Sequence, residues 1–327
     1  LEEAESGYRK VLEAVPDNPV ALQLLGVIAY QVGEVQSAFE LISEAVAIDP
    51  KYAEAHFHLG LVCKALGHFD EAIESYRRSI ALNPAHPQAH NNLANTFQAV
   101  GLLDEAVESY RKALSFDPNY VNALSNLGVV LAKLRLPDEA VQSCQQAVQL
   151  DPKNADVHSN LGFVLLELGK PEDAISCFRT ALAIEPEDPE THNNLGNACQ
   201  EHYRHEDAIL RYQKAVQLAP DYTDAQNNLG NVFHELERYD DALSFYRAVL
   251  GLEPENVDAQ TLSGVRVEVR RRLGVAMRSL LAKYRTYRPS TPLYEQTTTF
   301  AQRYEEELRK RFFAVRRVMV DTMRGTP

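Results

Sequence analysis

The side chains with which this 327-residue chain could do chemistry are four Cys, ten His, many Asp/Glu pairs and a recurring set of Asn. Cys63, Cys144, Cys177 and Cys199 have no Cys partner at the spacing of a zinc site, and they fall at positions that read as core, where a thiol behaves as a small hydrophobe. His56, His90, His158 and His192 share one position of an internal repeat. Successive ones are then at least a helix-packing distance of about 8–10 Å apart, whereas zinc needs nitrogens at about 2.1 Å. His202 and His205 stand close together, but no further ligands converge on them. There is no phosphate-binding loop, G-x-S-x-G, H-E-x-x-H or dinucleotide fingerprint. The Asp/Glu pairs recur at one register and read as helix-start features. These observations predict no catalytic residues, no metal and no cofactor.

What remains is carboxamide chemistry. Asn92, Asn126, Asn160, Asn194 and Asn228 recur every 34 residues, and Asn95, Asn197 and Asn231 lie three residues further on, nearly on the same helical face. Asn is a mediocre helix former, so its repetition within helices calls for a reason. A carboxamide both donates and accepts, and so can grip a peptide backbone whatever its side chains. Repeats about 10 Å apart against an extended chain rising about 3.3 Å per residue give one Asn per three peptide residues. The alternative is Asn–Asn or Asn–backbone bonding that orders the stack.

The elements that position these residues follow from the period. Pro16, Pro50, Pro84, Pro118, Pro152, Pro186, Pro220 and Pro254 are each 34 apart. Leu25 to Leu229, Ala38 to Ala242 and a Gly after the Leu keep the same interval, with Ala94 as the one exception among the glycines. One unit, 87–120, reads as a helix hairpin. Leu93, Ala94 and Phe97 stripe a first helix, and Gly101 caps it. Asp104 and Glu105 open a second helix striped by Ala106, Tyr110 and Ala113, which Pro118 ends.

This pattern is identified as the tetratricopeptide repeat, W-x2-L-G-x2-Y, A-x3-F, A, P. It covers seven repeats over 19–256, while 1–18 keep the register of a second helix, as if further repeats preceded it. The Trp position holds Leu22, His56, His90, Leu124, His158, His192 and Gln226, a departure expected to loosen one core contact. The resemblance implies an all-α solenoid, a right-handed superhelix of hairpins with the first helices on its inner surface. The strings H-N-N-L-A-N at 90–95 and H-N-N-L-G-N at 192–197 resemble the repeat arm of O-linked N-acetylglucosamine transferases, whose inner Asn ladder holds extended substrate segments. Asn92, Asn126, Asn160, Asn194 and Asn228 match that ladder; Leu24 and His58 do not. The subclass that clamps chaperone carboxylates needs a Lys before the ladder Asn, and this chain has Gln23, Phe57, Asn91, Ser125, Ser159, Asn193 and Asn227 there.

The net charge of −13 hides a split. Residues 265–327 carry 15 Lys/Arg against 6 Asp/Glu, and the rest carries 18 against 40. The bulk of the chain is therefore unsuited to nucleic acid, and only the tail could be electrostatically drawn to it. The groove is expected to favour neutral or basic protein segments. Residues 257–327 read as divergent, basic helices: a cap, a second surface for an acidic partner or for the acidic array itself, made by Arg270, Arg271, Arg272, Arg309, Lys310, Arg311, Arg316 and Arg317, or a contact with nucleic acid or an anionic membrane, for which no lipidation site or other second signal speaks. No run approaches the roughly 18 apolar residues of a membrane span, no secretory signal opens the chain, and a cytoplasmic scaffold that binds protein partners is the expectation. The rivals are the substrate arm of a larger glycosyltransferase and a structural component of a large assembly.

Overall fold

A computed structural model describes residues 2–253, and all its regular elements within them are helices. The expectations for 257–327, including the basic cap and its Arg270–Arg272, Arg309–Arg311 and Arg316–Arg317 surface, lie outside the described residues. The chain divides into two compact units, Leu1–Glu187 and Asp188–Pro327. In the first, α1 (Glu2–Ala14) precedes five hairpins: α2 (Pro19–Gln31) with α3 (Val35–Ile48), α4 (Ala53–Ala65) with α5 (Phe69–Leu82), α6 (Pro87–Ala99) with α7 (Leu103–Phe116), α8 (Val121–Lys133) with α9 (Pro137–Leu150), and α10 (Ala155–Glu167) with α11 (Pro171–Ile184). The described residues of the second hold two more, α12 (Pro189–Glu201) with α13 (His205–Leu218) and α14 (Thr223–Glu235) with α15 (Tyr239–Leu252). Within each unit every first helix packs on its own second helix, and each second helix packs on the next first helix. This is the all-α repeat solenoid expected from the period, stabilised by neighbour contacts alone.

Local chemistry sets the ends of the helices. Gly33, Gly67, Gly101 and Gly169 close first helices with φ of 68–86°, a conformation that costs Gly nothing. Arg135, Tyr203 and Glu237 adopt the same conformation at the equivalent turns of their repeats without that freedom. Asp/Glu pairs occupy the first turn of α5, α7, α9, α11, α13 and α15, facing the positive helix end.

Each hairpin closes on a large side chain from the second helix. Ile42, Tyr76, Tyr110, Cys144, Phe178 and Tyr212 are fully buried, and Tyr246 nearly so. The glycine opposite each explains its own recurrence. A Cβ on Gly196 would lie 2.5 Å from the Tyr212 ring, and one on Gly162 would lie 2.8 Å from Phe178. Ala94, the exception, shows that one methyl can be accommodated opposite a buried Tyr110.

At His56, His90, His158 and Gln226, four of the seven Trp positions expected to be loose, the structure places a hydrogen bond. Nε2 of His56, His90 and His158 donates to the carbonyl of Pro50, Pro84 and Pro152, each at 3.0 Å. Gln226 Nε2 makes the same bond to Pro220 at 2.6 Å. The side chain thus ties α4, α6, α10 and α14 each to the proline turn that precedes it. Gln226 provides a control within the chain. His90→Gln is expected to leave thermal stability nearly unchanged, whereas His90→Leu should lose about 1 kcal/mol in a urea titration.

Candidate peptide-binding surface

The first helices bring the eight predicted Asn onto their exposed side. All are half-buried except Asn231, which is exposed. The Leu and Gly that follow each ladder position are turned toward the hairpin partner, which leaves the ladder residue on the side facing solvent.

In the first unit the carboxamides form a chain of bonds across repeats. Tyr110 on α7 donates its hydroxyl to Asn95 Oδ1 and, at 3.1 Å, to Gln98. Asn126 Nδ2 on α8 donates to that same Asn95 Oδ1 at 3.1 Å. Asn160 Nδ2 on α10 donates to Ser125 Oγ at 2.9 Å and reaches Asn126 Oδ1 at 3.5 Å. Asn92 stays local, accepting from its neighbour Asn91 at 3.3 Å. In the second unit the pattern repeats on α12–α14. Tyr212 donates to Asn197 Oδ1 at 2.8 Å, and Asn228 Nδ2 donates to Asn193 at 2.9 Å and to Asn197 at 3.1 Å. Tyr246 donates to Asn231 at 2.8 Å. Asn194 holds the ladder register on α12.

These bonds assign two roles to what the sequence presents as one stripe. Asn95, Asn197 and Asn231 anchor their helix to the tyrosine fifteen residues later. Asn126, Asn160 and Asn228 point an N–H back along the stack, and the Asn160 and Asn228 amides each commit Nδ2 to two acceptors, which leaves the carbonyl oxygen as the group to accept. The rigid orientation removes rotamer freedom that an incoming ligand would otherwise have to freeze. Ser125 and Asn193, one residue before the ladder, were missed as acceptors. Their signal in the sequence is a small polar residue 35 positions before a ladder Asn.

The stripe is not uniform. Where Asn95 stands in α6, the same position holds Leu61 in α4, Val129 in α8 and Phe163 in α10, with Lys133 resting over the Phe163 ring at 5.8 Å. At the unmatched end, His58 Nδ1 lies 2.9 Å from Gln23 Nε2, whose Oε1 accepts from Tyr52 at 3.1 Å. Burial depresses the His58 pKa despite the nearby Glu54. Burial pushes the Cys63 thiol up to about 11 and the Cys144 thiol up to about 12. Among the described residues no group of three His, Cys, Asp or Glu is placed to hold a metal ion, and no helix is long and apolar enough to cross a membrane.

No curated protein matches the sequence at significance. Among solved structures, the Cut9–Hcn1 hetero-tetramer of the APC/C has a TM-score of 0.64 at 19% identity, over 80% of this chain and 52% of that one. This chain thus spans about half the length of that relative, and the likeness speaks for the fold alone. PilF of Pseudomonas aeruginosa has a TM-score of 0.52 at 26% identity, covering 64% and 95% of the two chains. TTC0263, a thermophilic TPR protein of Thermus thermophilus, has a TM-score of 0.51 at 25% identity, covering 56% and 99%. A family model for anaphase-promoting complex, cyclosome, subunit 3 matches residues 1–79. The model for the cilia and flagella-associated protein 70 C-terminal domain matches residues 53–264, well over half of the chain. With the hairpin period and the buried Gly–Tyr packing in place, the chain belongs to this tetratricopeptide-repeat family, that of the cilia and flagella-associated protein 70 C-terminal domain.

Proposed function

We propose that this protein is a non-enzymatic scaffold that holds an extended segment of a partner protein along its first helices, with the ladder Asn gripping the segment's backbone. Tetratricopeptide-repeat proteins generally mediate protein–protein interaction and assembly. The observation that carries the finer reading is the recurrence of Asn92, Asn126 and Asn160 in the first unit, and of Asn194 and Asn228 in the second, at one solvent-facing register of the first helices, in surroundings that are neutral or acidic apart from Lys133. Those surroundings favour neutral or basic segments. The reading as the substrate arm of an O-linked N-acetylglucosamine transferase rests on the same register and shares its test. Membership in a family named for a cilia- and flagella-associated protein, and the match of 1–79 to an anaphase-promoting complex subunit, support a place within a larger assembly.

The test is selection of random peptides on the full chain, followed by affinity measurements on variants. Changing the five ladder Asn to Ala should weaken binding by more than about 100-fold, at about 0.5–1.5 kcal/mol per lost bond. Asn92→Ala separates gripping from stacking, because that amide bonds only within its own helix. It should weaken binding about three- to tenfold with the melting temperature unchanged. Unaltered affinity in both variants would make the ladder a stacking device.

A further inference from the structure

In the second unit the two first helices carry one and the same stripe. On α12 it runs Glu190, Asn194, Asn197, Glu201, and on α14 it runs Asp224, Asn228, Asn231, Glu235. The spacing of i, i+4, i+7 and i+11 keeps all four residues on one face. The four carboxylate residues are exposed, and neither helix carries a Lys or Arg. The basic residues of this unit's described part, Arg204, Arg211, Lys214, Arg238 and Arg247, all belong to the second helices or the turns that start them. In the other unit the stripe is incomplete: α2 has Val20, Leu24, Val27 and Gln31, α6 has Gln88, Asn92, Asn95 and Ala99, and α10 keeps Asp156, Asn160 and Glu167 but has Phe163 at the third position.

The two helices also bring their acids together at each end of the stripe. At one end the Tyr222 phenol is pushed up to about 12, first by burial and then by Glu190, Asp224 and Asp188 jointly. At the other, Gln200 on α12 donates to Glu235 on α14 at 2.9 Å, and Tyr212 feels both Glu235 and Glu201. Between the two acidic edges Asn228 has both its bonds directed sideways into Asn193 and Asn197, so its carbonyl is the group it offers. The face presents acceptors and four carboxylates, of which Glu235 also lies 3.6 Å from His205 Nδ1 at the start of α13.

We infer that the α12–α14 face is a docking surface for an extended peptide segment bearing Lys or Arg, its backbone over the Asn pair and its basic side chains reaching the carboxylates on either edge. This rests on the ladder reading above and adds the partner's chemistry. The dimensions fit. Each acid lies four residues, about 6 Å, from the nearest Asn along the helix, which is within the reach of a lysine. The two helices are about 8–10 Å apart, or roughly three residues of extended chain, and alternate side chains point to opposite edges. Basic residues at odd spacing therefore reach opposite edges. Exposed charges act over about 10 Å at 0.1 M salt, so the preference is greatest at low ionic strength.

The test is fluorescence anisotropy with the full chain and two labelled probes: a Ser/Gly-rich peptide carrying Lys at odd spacing, and the same peptide with every Lys replaced by Gln. The Lys probe should bind at least about tenfold more tightly at low salt, and the advantage should fade as salt rises. The variant Glu190→Gln, Glu201→Gln, Asp224→Asn, Glu235→Gln should erase that advantage while leaving affinity for the Gln probe unchanged. The five-Asn variant should lose both probes, so a failed charge preference and a failed ladder give different patterns. The same pair is measured on Arg309→Ser, Lys310→Ser, Arg311→Ser, in which a competing basic run of the chain is removed. A Lys advantage that appears only there still supports the site. Absence of the advantage in both proteins, or its persistence in the acid-neutralised variant, overturns it.

Discussion

Tyr212→Ala is expected to cost about 3–5 kcal/mol, the usual range for deleting a buried aromatic ring, while Tyr212→Phe costs about 1–2 kcal/mol and Tyr76→Phe nothing. The ring of Tyr212 is fully buried against Gly196, so truncation opens a cavity at the centre of the α12–α13 hairpin. Phe178, at the equivalent position of α11, shows that a ring without a hydroxyl fills such a site. The difference between the two tyrosines lies in their hydroxyls. Tyr212 donates to Asn197 at 2.8 Å and to Gln200 at 2.9 Å. Tyr76 faces a repeat with Leu61 where the Asn would be, and its buried hydroxyl has no partner. Removing the satisfied hydroxyl takes a donor from Gln200 and leaves Asn197 with Asn228 as its remaining donor, whereas removing an orphaned one relieves a desolvation cost. Urea unfolding of the three variants decides the matter. Equal losses for the two Tyr→Phe changes would mean that the Tyr–Asn bonds contribute nothing net.

At alkaline pH the fold is expected to collapse cooperatively between about pH 10 and 11. Burial raises the pKa of Tyr76, Tyr110 and Tyr212 far above the ordinary phenol value, that of Tyr222 and Tyr246 to about 12, and those of the Cys63 and Cys144 thiols to about 11 and about 12. The folded state therefore holds these protons more tightly than the unfolded chain, whose thiols release them near about 8.5 and phenols near about 10. The corresponding stability is fully present below about pH 8.5 and is lost as pH rises through the folded values. Each such group contributes a slope of about 1.4 kcal/mol per pH unit once its unfolded value is passed. Several acting together exhaust a reserve of about 5–15 kcal/mol within a pH unit or so. Phenolate absorbance and helical circular dichroism should change in one shared transition. Gradual phenol ionisation near about pH 10 with helix retained would contradict the burial on which this rests.

Much of this molecule was legible from spacing alone. The 34-residue interval of Pro, Ala, Leu and Gly dictates hairpins, because a helical period of about 3.6 residues interrupted at fixed points by Gly and Pro leaves the backbone no other repeating solution. The pairing of Asn95 with Tyr110, Asn197 with Tyr212 and Asn231 with Tyr246 is also written in the sequence as an interval of fifteen, and it breaks at Leu61 and Tyr76. The solvent-facing register of the ladder follows from the Leu beside it.

Tertiary structure decided the direction of the bonds. A carboxamide can donate or accept, and a sequence cannot say which, because the choice depends on what stands one repeat away. Ser125 receives Asn160, Asn193 receives Asn228, and Asn95 is shared between Tyr110 and Asn126. The same holds for the His at the Trp position. From spacing it reads as a weakened core contact, and only the folded turn brings the proline carbonyl six residues back within 3.0 Å of the ring. Period sets which residues share a face, since that is a property of one helix. Polarity and partnership are set between helices, where distances of a few tenths of an ångström decide whether a polar group is bonded or orphaned.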